Sequence, residues 1–416
     1  MHRDPCCPSV SFVLATHNRR DVVLHTLSRI SENGLNRNDY EVVVVDNASH
    51  DGTPEAIAPF CDELIRLDRN AGSCAKAHGV EIARGRYVVF LDDDSFPQPG
   101  SVRRMMEHFE HDPQLAAAGF DVHLPDGRRE GAALPHVFVG CGAGFRRDAL
   151  LACGNLDATF FMQAEEYELT FRLASGGWRV RTFDDLHVTH LKTPTSRRTE
   201  RTTFLDTRNN LRVIARCLTG EALTEYRADC LQRYQWLAER DGHLRSFTRG
   251  AWAGLFRGSK ERWAFRHRRL AHAVFESFFE WESLEKAMTS LAADGAKCVA
   301  LADLGKNAYA FYRAAVNVGL EICAIGDDRF AGPGRTYRGI PVVTLQQAIA
   351  EAPDAVVVAN SAPVHGLTTY RRVQGLTALP VYRFPRGEAG TQKPVAKKTK
   401  FHAEGDIAGG VRAVAN

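Results

Sequence analysis

Asp92, Asp93 and Asp94 stand in a row directly after the apolar run YVVFL at 87–91. Three adjacent carboxylates repel one another unless a cation neutralises them. At the C-terminal end of a parallel strand they would project into the crevice where open α/β sheets bind ligands. Alternate carboxylates placed there can hold a hard divalent cation, which in turn can neutralise a diphosphate. An acidic turn or a helix N-cap also uses Asp, but the preceding strand favours the metal. A further carboxylate, Asp46, ends the run EVVVV at 41–45 and precedes NASHDGT. So placed it could accept from a nucleobase N–H or a ribose hydroxyl; taken alone it reads as an Asx turn. The same two readings hold for Thr16, His17, Asn18 and Arg19 after the first strand.

Such residues converge only if the segments before them are neighbouring strands. From Ser9 to about Asp94, short β-rich runs alternate with helical stretches: SFVLAT, a helix over Leu24 to Ile30, EVVVVD, a helix near Pro54 to Phe60, ELIRLD, a helix near Ala75 to Ala83, and RYVVFLDDD. Near-continuous apolar strands bounded by turns predict a parallel sheet covered on both faces. Between Gly100 and Thr193 the pattern becomes mixed, with a Gly-rich GCGAGF and a helix over Glu166 to Ala174. From about Thr202 to Leu291 the β pattern disappears, and Trp263, Leu270, Val274, Phe278, Trp281, Leu284 and Met288 recur at helical spacing. A second α/β pattern follows to about Phe384. The fold class is therefore α/β, divided as 1–201 for the first domain, 202–292 for a helical connector, 293–385 for a small Rossmann-like domain and 386–416 for a disordered tail.

The 416 residues exceed what one core usually holds, and 44% hydrophobic with 25% charged residues excludes a disordered or fibrous chain. Lys plus Arg number 53 against 50 acids, so no global field points to nucleic acid. The ten Cys form no Cys-x-x-Cys pair, which fits reduced thiols in a cytoplasmic protein, and no apolar run is long enough to span a bilayer.

ATHNR, VVDNASHDGT, RNAGSCAKAHG, YVVFLDDD, GCGAGFRRDAL, FFMQAEEYELTFRLASGGW and VTHLK follow one another over roughly residues 9 to 195. In that order they resemble the family 2 glycosyltransferases, inverting enzymes of the GT-A fold. The resemblance implies that Thr16, Asn18, Arg19, Asp46, Asn70, Lys76, Asp92 and Asp93 hold a nucleoside-diphosphate sugar. It implies that Asp94, Asp92 and His190 hold Mn²⁺ or Mg²⁺, Asp94 being the more direct ligand. The family's base is the second acid of a Glu-Asp pair at a helix start; here the pair is Glu165 and Glu166, so Glu166 takes the Asp position. A second departure is His78, where the family usually has Asn, which predicts an altered donor pocket. No Gln-x-x-Arg-Trp follows the base, GGWRV at 176–180 being the nearest stretch, which with the lack of spanning helices implies a non-processive enzyme. TFLDTRNNLRVIAR, with Arg208, Asn209 and Asn210, is similar to the segment after the catalytic domain of bacterial rhamnosyltransferase-like members, whose acceptors are cell-surface or lipid-linked glycans.

A non-catalytic sugar-nucleotide-binding scaffold is the competing function, and a sugar-1-phosphate nucleotidyltransferase ranks third for want of an N-terminal phosphate loop. In the Rossmann-like domain the first turn reads ADLGKNAYAF, with Asp303 where a dinucleotide fingerprint has its first glycine, so a structural or partner-docking role is expected. Because every family motif precedes residue 200, a chain ending near Leu291 is expected to keep donor chemistry. Residues 243–270 carry Arg245, Arg249, Arg257, Lys260, Arg262, Arg266, Arg268 and Arg269 among Trp252, Phe256, Trp263 and Phe265. That stretch reads as a helical connector or as a peripheral membrane contact.

Overall fold

The computed structural model describes residues 8–192 and 199–384. The predicted tail lies outside them. Strands β1 (Val10–Thr16), β2 (Tyr40–Asp46), β3 (Glu63–Arg66) and β4 (Tyr87–Asp92) form the parallel half of the first sheet in the order β3-β2-β1-β4. The apolar runs of β1, β2 and β4 are buried on both faces, while the edge strand β3 is only half-buried. Val42, Val44, Phe12 and Leu14 face one core, while Val13 and Val43 face another on the opposite side. Alternation of side chains along each strand makes two cores from one run of valines.

Five further strands complete this sheet: β5 (Ser95–Pro97), β6 (Leu115–His123), β7 (Arg129–Glu130), β8 (Gly142–Arg146) and β9 (Arg179–His190). The order continues β4-β8-β6-β9-β5, with β8 antiparallel to both β4 and β6. The sheet is thus mixed: parallel where the donor-side residues lie, antiparallel at β8 and β5, and parallel again between β6 and β9. Thr16 pairs in register with Asp46, and Ala15 with Asp92, so the three chemistry-bearing strand ends meet at one edge.

Helices Glu200–Cys217, Gly220–Asp241, Leu244–Ala264, His272–Phe279 and Trp281–Ala293 form the connector. The first and third lie unusually close. A methyl added at Gly250 would come 2.7 Å from the Phe204 carbonyl oxygen, and one at Gly254 2.8 Å from that of Arg208. Glycine is required at this seam because the facing atoms are backbone, which cannot yield.

The second sheet holds β10 (Cys298–Ala302), β11 (Glu321–Gly326), β12 (Thr336–Tyr337), β13 (Ile340–Val343), β14 (Ala355–Val358) and β15 (Val381–Tyr382), in the order β12-β13-β11-β10-β14-β15. All neighbours are parallel except β12. Where a dinucleotide would approach β10, Asp303 instead accepts from Arg329 at 2.5 Å and from Asn360 at 2.7 Å, and Asn360 stands 3.1 Å from any Cβ added at Gly305. The crevice is filled by its own side chains. Leu211, Tyr234 and Met288 of the connector share one core with Val299, Phe311 and Val357 of this sheet. A cut near Leu291 would expose the connector's half of that core, so the packing counts against the expectation that such a chain keeps a working first half.

Candidate active site

A cleft of about 1070 Å³ opens at the C-terminal ends of β1 and β4. Thr16, Arg19, Asn70, Lys76, Asp92, Asp93, Asp94, Glu165, Glu166 and His190 all line it, so most residues singled out in the sequence come together. Asn18 is exposed at the rim, where its side-chain oxygen accepts from the His50 N–H at 2.8 Å. Asp46 is buried; Oδ2 accepts from the Ser49 N–H at 3.0 Å, and Oδ1 has no hydrogen-bond partner among the described residues. It faces a neighbouring hollow with Ser49, His50, Arg66 and Asp68. His78 is exposed and does not line the cleft, which removes the basis for an altered donor pocket there.

The three aspartates have separate surroundings. Lys76 Nζ donates to Asp92 Oδ1 at 2.6 Å and to the Gly140 carbonyl at 2.9 Å. Burial opposes the lysine charge, but Asp92 outweighs it and raises the ammonium's pKa. Asp93 accepts from Thr16 Oγ1 at 2.9 Å and Arg19 at 2.5 Å; burial nevertheless pushes its carboxyl up to about 6. Asp94 accepts from Arg19 at 2.9 Å and lies 3.2 Å from His190 Nε2. Burial would raise its pKa, but these two partners hold it well below the carboxylate range. His190 Nδ1 lies 2.5 Å from Glu130, and although burial opposes its charge, Asp94, Cys141 and Glu130 push it up to about 12.

A cation would find oxygen donors at Asp92 and Asp94, and a nitrogen donor at His190 once it displaces the proton that the Asp94 and Glu130 carboxylates favour there. Ligand atoms of Asp92, Cys141 and His190 already lie within 4.8 Å of one another. Carboxylates and an imidazole suit Mn²⁺, whereas burial raises the Cys141 pKa, and a protonated thiol is a poor ligand for a hard ion. The donor set fits the expected metal.

Glu165 and Glu166 begin the helix Glu165–Ser175. Glu165 is buried and receives a hydrogen bond from Ser73 Oγ, and its Oε2 has no partner among the described residues. Glu166 is half-buried and projects toward Gly140, where an added Cβ would meet its Oε1 at 3.2 Å. Both carboxyls are shifted upward, each chiefly by burial; the adjacent Glu166 charge adds to the shift of Glu165. Phe161, Gln163 and Ala164, in the loop just before them, have φ of 69°, 72° and 66°. Left-handed backbone at non-glycine residues is strained and persists only where surroundings hold it. Asn209, wholly buried, does so by donating to the carbonyls of Phe160, Met162 and Gln163.

Sequence reasoning missed several participants. Glu130 bonds both His190 and Lys192. Val364, His365, Leu367, Thr368 and Arg371, from the helix Pro363–Gln374 of the second α/β unit, form part of the cleft wall. Pro363 in the first helical turn was the available sign of that helix.

Residues 11–164 match the family model "Glycosyl transferase family 2". A succinoglycan biosynthesis protein of Rhizobium meliloti is 39% identical over 127 residues, 29% of this chain and 36% of the relative. A putative teichuronic acid biosynthesis glycosyltransferase of Bacillus subtilis is 26% identical over 153 residues, 32% of this chain and 60% of the relative. The chain therefore spans between about a third and three-fifths of the length of these curated relatives. Among solved structures, a mannosyltransferase from Pyrobaculum calidifontis in complex with GDP-Man and Mn²⁺ aligns at 20% identity and a TM-score of 0.43, covering 76% of this chain and 88% of that one. In agreement with the ordered motifs, residues 11–164 of the chain form a glycosyl transferase family 2 domain.

Proposed function

We propose that the protein is a metal-dependent, inverting, non-processive glycosyltransferase that moves a sugar from a nucleoside diphosphate to a glycan or lipid-linked glycan. The observation carrying this reading is that Asp92, Asp94 and the Glu165–Glu166 pair line one cleft although 71 positions separate Asp94 from Glu165. Thr16, Arg19 and Asn70 line the donor end, and Lys76 holds Asp92 in place. A divalent cation bound by Asp92, Asp94 and His190 would neutralise the departing diphosphate. Glu166 takes the proton of the acceptor hydroxyl as its oxygen attacks the anomeric carbon, and the bond to the diphosphate oxygen breaks on the opposite side with inversion. Glu165, buried and bonded to Ser73, fixes the start of the helix that carries the base.

A screen of nucleotide sugars with Mn²⁺ or Mg²⁺, read by release of nucleoside diphosphate, tests this. Turnover of at least one donor, lost in EDTA and in Asp94→Ala, is expected. Donor binding without turnover of any sugar would favour a sugar-nucleotide-binding scaffold, and full rates in EDTA would remove the metal.

A further inference from the structure

The helix Leu244–Ala264 is two-faced in a way that its role as a connector does not use. Its inner face is built of the buried Ser246, Gly250, Ala251, Gly254 and Gly258, with the three glycines packed against the helix Glu200–Cys217. Its outer face carries Trp252, Phe256 and Trp263, exposed by 73%, 63% and 74%. At 3.6 residues per turn these three fall within an arc of about 40°. Of the nine exposed large hydrophobics among the described residues, four, with Leu244, belong to this one helix. Single exposed apolar residues need no explanation, but an aligned stripe of large aromatics does.

The basic residues complete the pattern. Arg245 lies in the same arc, and Arg249 and Lys260 flank it, all exposed. Lys260 Nζ sits 4.4 Å from the Phe256 ring centre, and the Arg266 guanidinium 4.9 Å from that of Trp263. The helix's single acid, Glu261, points inward and is occupied by Arg212 and Arg216. Arg262 and Arg268 also serve the interior, through the Leu218 carbonyl and Glu168.

We infer that this outer face docks the protein on an anionic lipid surface, with Trp252, Phe256 and Trp263 entering the interface and Arg245, Arg249 and Lys260 lying among the headgroups. Aromatic side chains flanked by cations on one helix face suit that boundary, where an apolar body and a charged rim are both satisfied. The face is the convex side of a helix, unlike the grooves that track single-stranded nucleic acid. The described residues contain no helix long and apolar enough to cross a membrane.

Co-sedimentation of the full chain with phosphatidylcholine vesicles, with and without phosphatidylglycerol, tests the inference. Binding should require the anionic lipid, weaken as salt is raised, and fall about a hundredfold or more in R245E/R249E/K260E. Trp252→Ser, Phe256→Ser and Trp263→Ser together should abolish it while the thermal melt, which reads the folded core, stays unchanged. No vesicle binding, or binding that both sets of changes leave intact, overturns the inference. So does a stripe that instead holds two copies together, seen as dimer dissociation in the aromatic variant without lipid binding, or one that binds an oligonucleotide but not vesicles.

Discussion

Asn209 Nδ2 lies 2.9 Å from the carbonyl oxygen of Gln163, two residues before Glu165. The same amide reaches the Met162 carbonyl at 2.8 Å and that of Phe160 at 3.0 Å. One side chain of the connector thus holds the strained entry to the helix that carries the Glu165–Glu166 pair. Asn209→Ala should leave these carbonyls unsatisfied, costing about 1–3 kcal/mol of stability. It should also lower kcat by about 10²-fold, because a shift of about 1 Å in a reacting group has that effect. Steady-state kinetics should show the loss in kcat with donor KM nearly unchanged; a change confined to KM would mean that the loop serves binding alone.

Glu166→Gln should retain donor affinity, measured by calorimetry, and lose about 10²–10⁴ in turnover, since the amide keeps the shape and removes the base. Glu165→Gln should cost less. The reverse ranking would assign the base to Glu165.

Burial raises both carboxyls, so each keeps its proton to a higher pH than a free glutamic acid near about 4.3. The base works only when deprotonated. Activity should therefore be lost as pH falls through the raised value and regained as pH rises through it, placing the acid limb of kcat/KM above the ordinary carboxylate range. A limb at the ordinary value would exclude this pair as the source.

Glu261 accepts from Arg212 at 2.7 Å and from Arg216 at 2.9 Å, and both arginines are buried. Arg212 also donates to Thr159, and Arg216 to Asp157 and Glu168. Removing one member of such a network leaves buried charge uncompensated, at a cost of about 3–5 kcal/mol. Glu261→Gln should lower the denaturation midpoint accordingly, toward the smaller figure because both arginines keep other acceptors.

The parts of this site that were legible in the sequence are those whose signal is local. Asp92 to Asp94 follow an apolar strand, and strand and acids together imply a crevice before any coordinate is known. The Glu165–Glu166 pair and His190 were legible only through ordered motifs, because an acidic helix start or a lone histidine has bland explanations. Glu130 and Arg371 left no such mark: they reach the cleft through the antiparallel pairing of β7 and through a helix of another sheet, which no local pattern encodes. The stretch 243–270 offered two readings because its inner face is made of glycines, which apolar periodicity does not register. The structure gives the inner face to the connector and leaves the aromatics outside. Arg268, grouped by sequence with the surface bases, pairs with buried Glu168 at 3.0 Å instead.

At Gly131, beside β7, an added Cβ would approach the Val364 side chain to 2.8 Å, so the hairpin of the first sheet rests on the helix Pro363–Gln374 of the second. The acids and the opposite wall of the cleft thus belong to two separate sheets, arranged like the jaws of a caliper. The cleft is therefore lined from both sides, by acids at the strand ends of the first sheet and by residues of the helix Pro363–Gln374. Volume changes at Val364, on the second sheet's side, would adjust the jaws and sort acceptors by width; at Gly131 they would also reach the adjacent Glu130, which bonds His190.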